Sequence, residues 1–424
     1  MIYTDENYKL ELIDRIVNST NLREAIKVYG ENLVYLRGYK FILTVNSNEG
    51  FITGESIDKD FSNGGVIRSL YGSNRVFILD EVSFSEMIKT QEAKFRIDYS
   101  ISMDTQAVSY LEPYIENKLT RIPADMLEMV DFLVLNNINY DSFPYQFENL
   151  FNISNLTKNE KIFKKIKAYE FFKNIDVSLY KKDRVLRTKL SDEELNILAQ
   201  TRISYEMHNL SDSGFSKALN QRFNYVYFTL LVIVIIQFEN PDNNLVEKLN
   251  LYFKFHDELI ANINLRDSIL ALEFFRKKHS LNFFSKIQIS YAKLFPVLKG
   301  MAWDILHFRQ LEQNATFEMM GTGSFFFPAF LTYDKKFIEI INLFQLKALV
   351  YKNNGEILPF YKYNFYNYEE LDKTDREIIG KKYFSMESRY LRYLRRDDAF
   401  KNLSKIIREL EIKLSKVAKV SKIE

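Results

Sequence analysis

A chain of 424 residues with a net charge of +2 can hold two or three domains, or one large core with an elaborate insertion, and is too balanced to be basic all over. Its 36 Phe and 27 Tyr against 13 Gly and 7 Pro exclude a disordered chain. The absence of Cys excludes disulfides, a thiolate nucleophile and Cys-ligated zinc, and agrees with the reducing cytoplasm expected as its location.

Residues 1–15 are charged and lack the apolar core and small-residue cleavage site of a secretory signal. Helices are predicted from Glu6 to Val17 and from Leu22 to Tyr29, and a strand over Leu33–Val45. Gly50, Gly54, Gly64, Gly65 and Gly72 then punctuate a turn-rich stretch before the strand Arg75–Asp80. No Gly-Lys-Ser/Thr follows these glycines, so hairpin turns explain them better than a phosphate loop. The run Phe95–Met103 alternates like a strand and gives way to a helical pattern at Asp104-Thr105-Gln106-Ala107. Asp104 therefore sits at a strand-to-helix junction, where taken alone it is best explained as an N-cap.

A helix over Ala124–Leu133, a short strand over Asn137–Tyr140 and a helix start at Pro144-Tyr145-Gln146-Phe147-Glu148 come next. Residues 155–300 read as almost entirely helical. Within them Lys158–Lys173 interleaves lysines with apolar residues, as a solvated amphipathic face or a phosphate-contacting one. Phe223–Phe238 carries no charge but falls short of the roughly 20 residues of a membrane span, so a buried core segment and no membrane partner are expected. Ala302–Phe308, with Asp304, reads as the opening of a helix; Phe325–Leu331 is an intensely apolar strand ending in Thr332-Tyr333-Asp334. A helix over Lys335–Phe344, a strand over Leu346–Tyr351, a Tyr-rich segment over Tyr361–Tyr368 and a long helix over Met386–Val417 complete the chain. In that last helix Phe400, Leu403, Ile407, Leu410, Leu414 and Val417 step by three and four. Such a seam packs against its own protein or joins two copies into a homodimer.

The order of these features, strand-Asp104, Glu148 after a second strand, the Asp304 helix, then strand-Thr332-x-Asp334, resembles the PIN-like nuclease superfamily. The resemblance implies an α/β fold with a small, mainly parallel sheet sandwiched by helices. It divides the chain into an N-terminal α+β region (1–94), a PIN-like domain (95–352) with a helical insertion over about 155–295, and a C-terminal helical extension (353–424). It also implies a metal-dependent nuclease, an endoribonuclease before a deoxyribonuclease, with Asp104, Glu148, Asp304 and Asp334 as the catalytic carboxylates. Asp104, Asp304 and Asp334 would bind Mg²⁺ or Mn²⁺, and Thr332 and Lys335 would meet substrate. Glu206 and Glu273 are the alternatives to Glu148, because the insertion separates Glu148 from Asp304. His307, three residues after Asp304, could join it on a softer metal. By analogy, the extra segments suggest a toxin or anti-phage effector with a regulatory protein partner. The alternative is a non-catalytic module that binds nucleic acid or protein through its aromatics and the Lys158–Lys173 face.

Overall fold

The computed structural model describes residues 5–45, 51–52, 58–71, 73, 75–90, 97–314, 325–352, 356–363, 365, 368 and 370–421. Gly50, Gly54, Gly72, the Phe95-Arg96 start of the expected strand and part of the Tyr361–Tyr368 segment lie outside the described residues.

The first helix, α1 (Asp5–Val17), buries Leu12, Ile13, Ile16 and Val17. In α2 (Leu22–Glu31) the Asn21 side chain caps the start by accepting from the Glu24 N–H. The strand expected over 33–45 divides in two. Leu33–Leu36 forms a single helical turn, α3, and Lys40–Thr44 is the strand β1. Gly38, at φ 78°, makes the break with a backbone angle that other residues rarely adopt. Next come β2 (Phe51–Ile52), β3 (Lys59–Asp60), β4 (Val66–Ser69), β5 (Arg75–Leu79) and α4 (Glu81–Thr90). The Gly64-Gly65 pair turns the β3–β4 hairpin, and the Asp125 carboxylate clasps that turn by accepting from the Asn63 and Gly65 N–H groups at 3.0 and 2.9 Å.

β6 (Ile97–Met103) feeds α5 (Thr105–Ile115), followed by α6 (Met126–Leu135), β7 (Tyr140–Asp141) and α7 (Phe143–Asn149). The stretch read as helical contains α8 (Leu156–Lys173), α9 (Val177–Asp183), α10 (Asp192–Ser211), α11 (Ser213–Glu239), α12 (Leu245–Ile260) and α13 (Leu265–Lys277). Then α14 (Leu294–Asn314) precedes β8 (Phe325–Thr332), α15 (Ile338–Leu343), β9 (Leu346–Tyr351) and β10 (Ile357–Tyr361). The long helix expected at the end is two helices broken at Asn402, α17 (Met386–Lys401) and α18 (Leu403–Ala418), preceded by α16 (Lys373–Phe384).

The fold is mixed α/β with two five-stranded sheets. The first, ordered β10-β9-β1-β5-β2, is antiparallel at every pairing. The second, ordered β3-β4-β8-β6-β7, is parallel across β8, β6 and β7 and antiparallel across β4 and β3. A single, mainly parallel sheet is thus the wrong description. β9, which falls within the expected 95–352 domain, pairs with β1 from the N-terminal region. Its alternation matches that of β1. Phe41, Leu43, Ala348 and Val350 face α1 and α2, whereas Ile42 and Leu349 face the main core. Residues 1–94 supply strands to both sheets, so hydrogen bonding runs continuously from that region into 325–361.

The main core is centred on α11, in which every residue from Tyr225 to Gln237 is buried. This helix is long and apolar enough to cross a membrane, and 72% of its most apolar window is buried inside the protein. α18 lies along it. Leu403, Ile407, Leu410 and Leu414 are buried there, and Tyr227 donates to Glu411 at 2.9 Å, so the heptad seam is used within the chain. Each fully buried aliphatic residue of this kind contributes about 1.5–3 kcal/mol.

Candidate carboxylate site

Parallel strands open at their carboxyl ends, and here β7, β6 and β8 end side by side. Asp104 follows the last residue of β6, opposite Leu331 and Thr332. Its N–H donates to the Leu331 carbonyl at 3.0 Å and so extends the parallel ladder by one bond. The Asp104 carboxylate is buried and caps α5 by accepting from the Ala107 N–H, as the capping reading expected. Its second oxygen accepts from the Thr332 hydroxyl at 2.6 Å, and the same Thr332 oxygen accepts from the Asp334 N–H at 3.0 Å. Thr332 therefore links the two aspartates. It is 1% exposed and both contacts point inward, so it orients a carboxylate.

Asp334 begins the turn after β8 and accepts from the Lys336 N–H at 2.8 Å. Lys335, beside it, is exposed and lies over the Gly64 turn, where a side chain on Gly64 would collide with it. Asp304 stands in the middle of α14 and not at its start. The helix begins ten residues earlier, with Pro296 in its first turn, where a missing N–H costs nothing. Asp304 is partly buried, and among the described residues its carboxylate has no hydrogen-bond donor and no ion pair. Burial, then the charges of Asp334, Asp104 and Glu148, push its pKa well above the ordinary carboxylate range. Burial likewise pushes Asp104 up to about 6, against the Thr332 and Ala107 donors and with help from Asp334.

Glu148 reaches this neighbourhood from α7. It accepts from the Thr105 hydroxyl, and one of its oxygens lies 3.8 Å from His307 Nε2. Burial opposes its charge, but His307, Thr105 and the nearby Lys165 outweigh it and hold the carboxyl below its usual range. His307 is 3% exposed, stacks on Trp303 and turns Nε2 toward Glu148. The alternatives to Glu148 sit elsewhere. Glu273 is paired with Arg276 and Lys277, and Glu206 with Asn209 on α10. The four carboxylates named from sequence thus share one electrostatic neighbourhood, although the chain separates Asp104 from Asp334 by more than half its length.

Two contributors, Thr105 and Asp141, escaped the sequence reading, and His307 was read only as a partner of Asp304. Thr105 adjoins a predicted residue, and only the fold turns it and His307 toward Glu148. Asp141, ending β7, accepts from the Ser100 and Ser102 hydroxyls at 2.9 Å each and from the Phe143 N–H. Its place at the end of a strand was the available signal. The Lys158–Lys173 face is largely engaged within the chain: Lys164 with Glu160, Lys167 with Asp192, Lys165 with Ser109 and Lys173 with the Tyr140 carbonyl.

The donor set is all oxygen and anionic, which fits a hard divalent cation such as Mg²⁺ or Mn²⁺. The uncompensated Asp304 is the observation that favours one. As the side chains stand, no three acidic or histidine groups among the described residues form a closed metal cage. Direct ligation by all of them would require the carboxylates to draw together, or water to complete the shell.

No protein-family model matches the chain. Neither a curated protein nor a solved structure matches it significantly.

Proposed function

We propose that this protein is a metal-dependent nuclease of PIN-like design, acting on RNA before DNA, with Asp104, Asp304, Asp334 and Glu148 as its working carboxylates. The observation that carries the reading is Asp304, a carboxylate without a cationic or hydrogen-bonding partner among the described residues, beside three carboxylates from separate segments. Like charges gathered at the open end of a parallel sheet are unfavourable in a resting protein and become favourable when a cation is shared. When bound, Mg²⁺ or Mn²⁺ would supply charge neutralisation at phosphorus and a water acidic enough to act as nucleophile.

Asp304, Asp334 and Asp104 would hold the ion. Thr332 keeps Asp104 aimed and Asp334 in register, and Thr105 and His307 hold Glu148 ionised at the edge of the site, where it can orient a water. Lys335, exposed next to Asp334, would meet the phosphate backbone. A role as a toxin or anti-phage effector under the control of a partner protein is the setting that this extensively decorated core suggests.

The test is cleavage of labelled RNA and DNA oligonucleotides with Mg²⁺, Mn²⁺ or EDTA. Asp334→Asn and Asp304→Asn should each lower the metal-dependent rate by at least about 10³-fold with an unchanged circular dichroism spectrum. Undiminished cleavage in both would sink the proposal.

A second reading, non-catalytic binding of nucleic acid, draws on α17. That helix exposes Met386, Tyr390, Tyr393 and Leu394 on one face, and Arg396 lies 5.6 Å over the Tyr393 ring. Exposed aromatics beside guanidiniums suit base stacking with phosphate contact. Salt-sensitive RNA binding lost in Tyr390→Ala/Tyr393→Ala, with no cleavage under any metal, would establish this reading over the first.

A further inference from the structure

On another face of α14, Leu306, Arg309 and Gln310 line a cavity of about 520 Å³ that α11 and the segment leading into α13 complete. Helical spacing separates this face from that of Asp304 and His307. Three guanidiniums, from three helices, face the space: Arg222, Arg266 and Arg309. Arg266 is 9% exposed and donates through Nη1 to Glu312 and to the Tyr361 hydroxyl, while Arg309 donates through Nη2 to the buried Asp267. Each of these arginines keeps its Nε free of any protein acceptor. Among the described residues Glu312 is the one acid in the lining, and Asp267 stands behind it.

We propose that this cavity binds a nucleoside phosphate. Its size lies within the roughly 300–1,000 Å³ of small-molecule sites and exceeds what a lone inorganic anion fills. Guanidiniums present paired donors that match phosphate oxygens. Gln221 and Asn262 bring side-chain amides, which combine donor and acceptor as reading a base edge requires. The rings of Tyr225 and Phe400, nearly parallel at 15° and 6.5 Å apart, give the wall flat apolar faces for a base or sugar. This site is independent of the carboxylate site, and it would stand if the protein proved not to be a nuclease.

The experiment uses the full chain freed of nucleotide, in EDTA so that metal-bridged binding to the carboxylates contributes nothing. Calorimetry and thermal shift are run with ATP, GTP, AMP and inorganic phosphate. At least one nucleoside phosphate should bind with a Kd below about 100 μM, raise Tm accordingly and exceed inorganic phosphate at least tenfold. Arg222→Glu, at an exposed position, should weaken binding tenfold or more with an unchanged circular dichroism spectrum. Gln221→Leu should change the preference between ATP and GTP. No heat and no Tm shift at millimolar nucleotide would overturn the proposal. So would equal affinity for inorganic phosphate, or undiminished binding by Arg222→Glu.

Discussion

On one side of α14, Asp304 stands near Asp104, Asp334 and Glu148 without a cation of its own among the described residues; on another, Arg309 and Arg266 meet Asp267 and Glu312 as buried ion pairs. Both arrangements take charge out of water, which is costly. The arginine side offsets the cost by pairing opposite signs. The carboxylate side leaves like signs together, and their protons are held more tightly in compensation. The first arrangement balances its buried charges within the chain; the second does not. Proteins keep such unfavourable groupings chiefly where they are used.

Removing one partner on the arginine side should produce the largest change. Arg309→Met leaves Asp267 charged, fully buried and unpaired, and should cost about 3–5 kcal/mol in denaturant unfolding. The double variant Arg309→Met/Asp267→Leu should recover most of that loss. A single variant as stable as the parent would show that the two sides do not differ in this way.

The next largest effect is a pH dependence of opposite sign at the two sides, measured without metal. His256, packed between Tyr225 and Tyr252 near Asp267, is pushed down to about 4 by burial, partly offset by Asp267 and the Asn262 carbonyl. The unfolded chain takes up that proton at about 6.5, so His256 contributes stability present above 6.5 and lost as pH falls toward 4. Asp104, raised from 3.8 to about 6, does the reverse: the folded state holds the proton more tightly, and stability declines as pH rises from 4 to 6. Each slope is worth about 3 kcal/mol, from shifts of roughly two units at 1.36 kcal/mol apiece. His256→Gln should therefore tilt the stability profile toward acid and Asp104→Asn should tilt it toward neutral. Profiles that tilt the same way in both variants would contradict the assignment.

Smaller effects sharpen the contrast. Thr332→Val removes the donor from buried Asp104 and should cost about 1–3 kcal/mol while raising the Asp104 carboxyl further, as read by side-chain carbon NMR. Asp304→Asn should have the opposite sign to Arg309→Met and stabilise the metal-free protein by about 1 kcal/mol, because it relieves repulsion without breaking a bond. Added Mg²⁺ should then raise the Tm of the parent more than that of the variant.

Strand ends were legible because apolar runs stop at Asp104 and at Thr332-x-Asp334, and both boundaries hold in the structure. Which strands pair was not. β9 reads as a buried strand whichever sheet receives it, and its antiparallel bond with β1 depends on residues three hundred positions away. Glu148 could not be chosen over Glu206 or Glu273 until helix packing put His307 and Thr105 beside it. The arginine cavity left no trace in the sequence at all. Arg222, Arg266 and Arg309 come from three helices with no shared spacing, and an arginine on a helix ordinarily reads as surface.

The interleaved sheets carry a consequence for the chain as it is synthesised. β1 and β4 emerge early, yet their partners β9 and β8 belong to residues 325–351, and Asp304 and Asp334 also come late. A ribosome-bound chain that stops short of residue 325 therefore has open strand edges and only part of its acidic cluster, so it can neither close its sheets nor gather its carboxylates. Under the proposed nuclease activity, that assembly order would delay cleavage until synthesis is nearly complete.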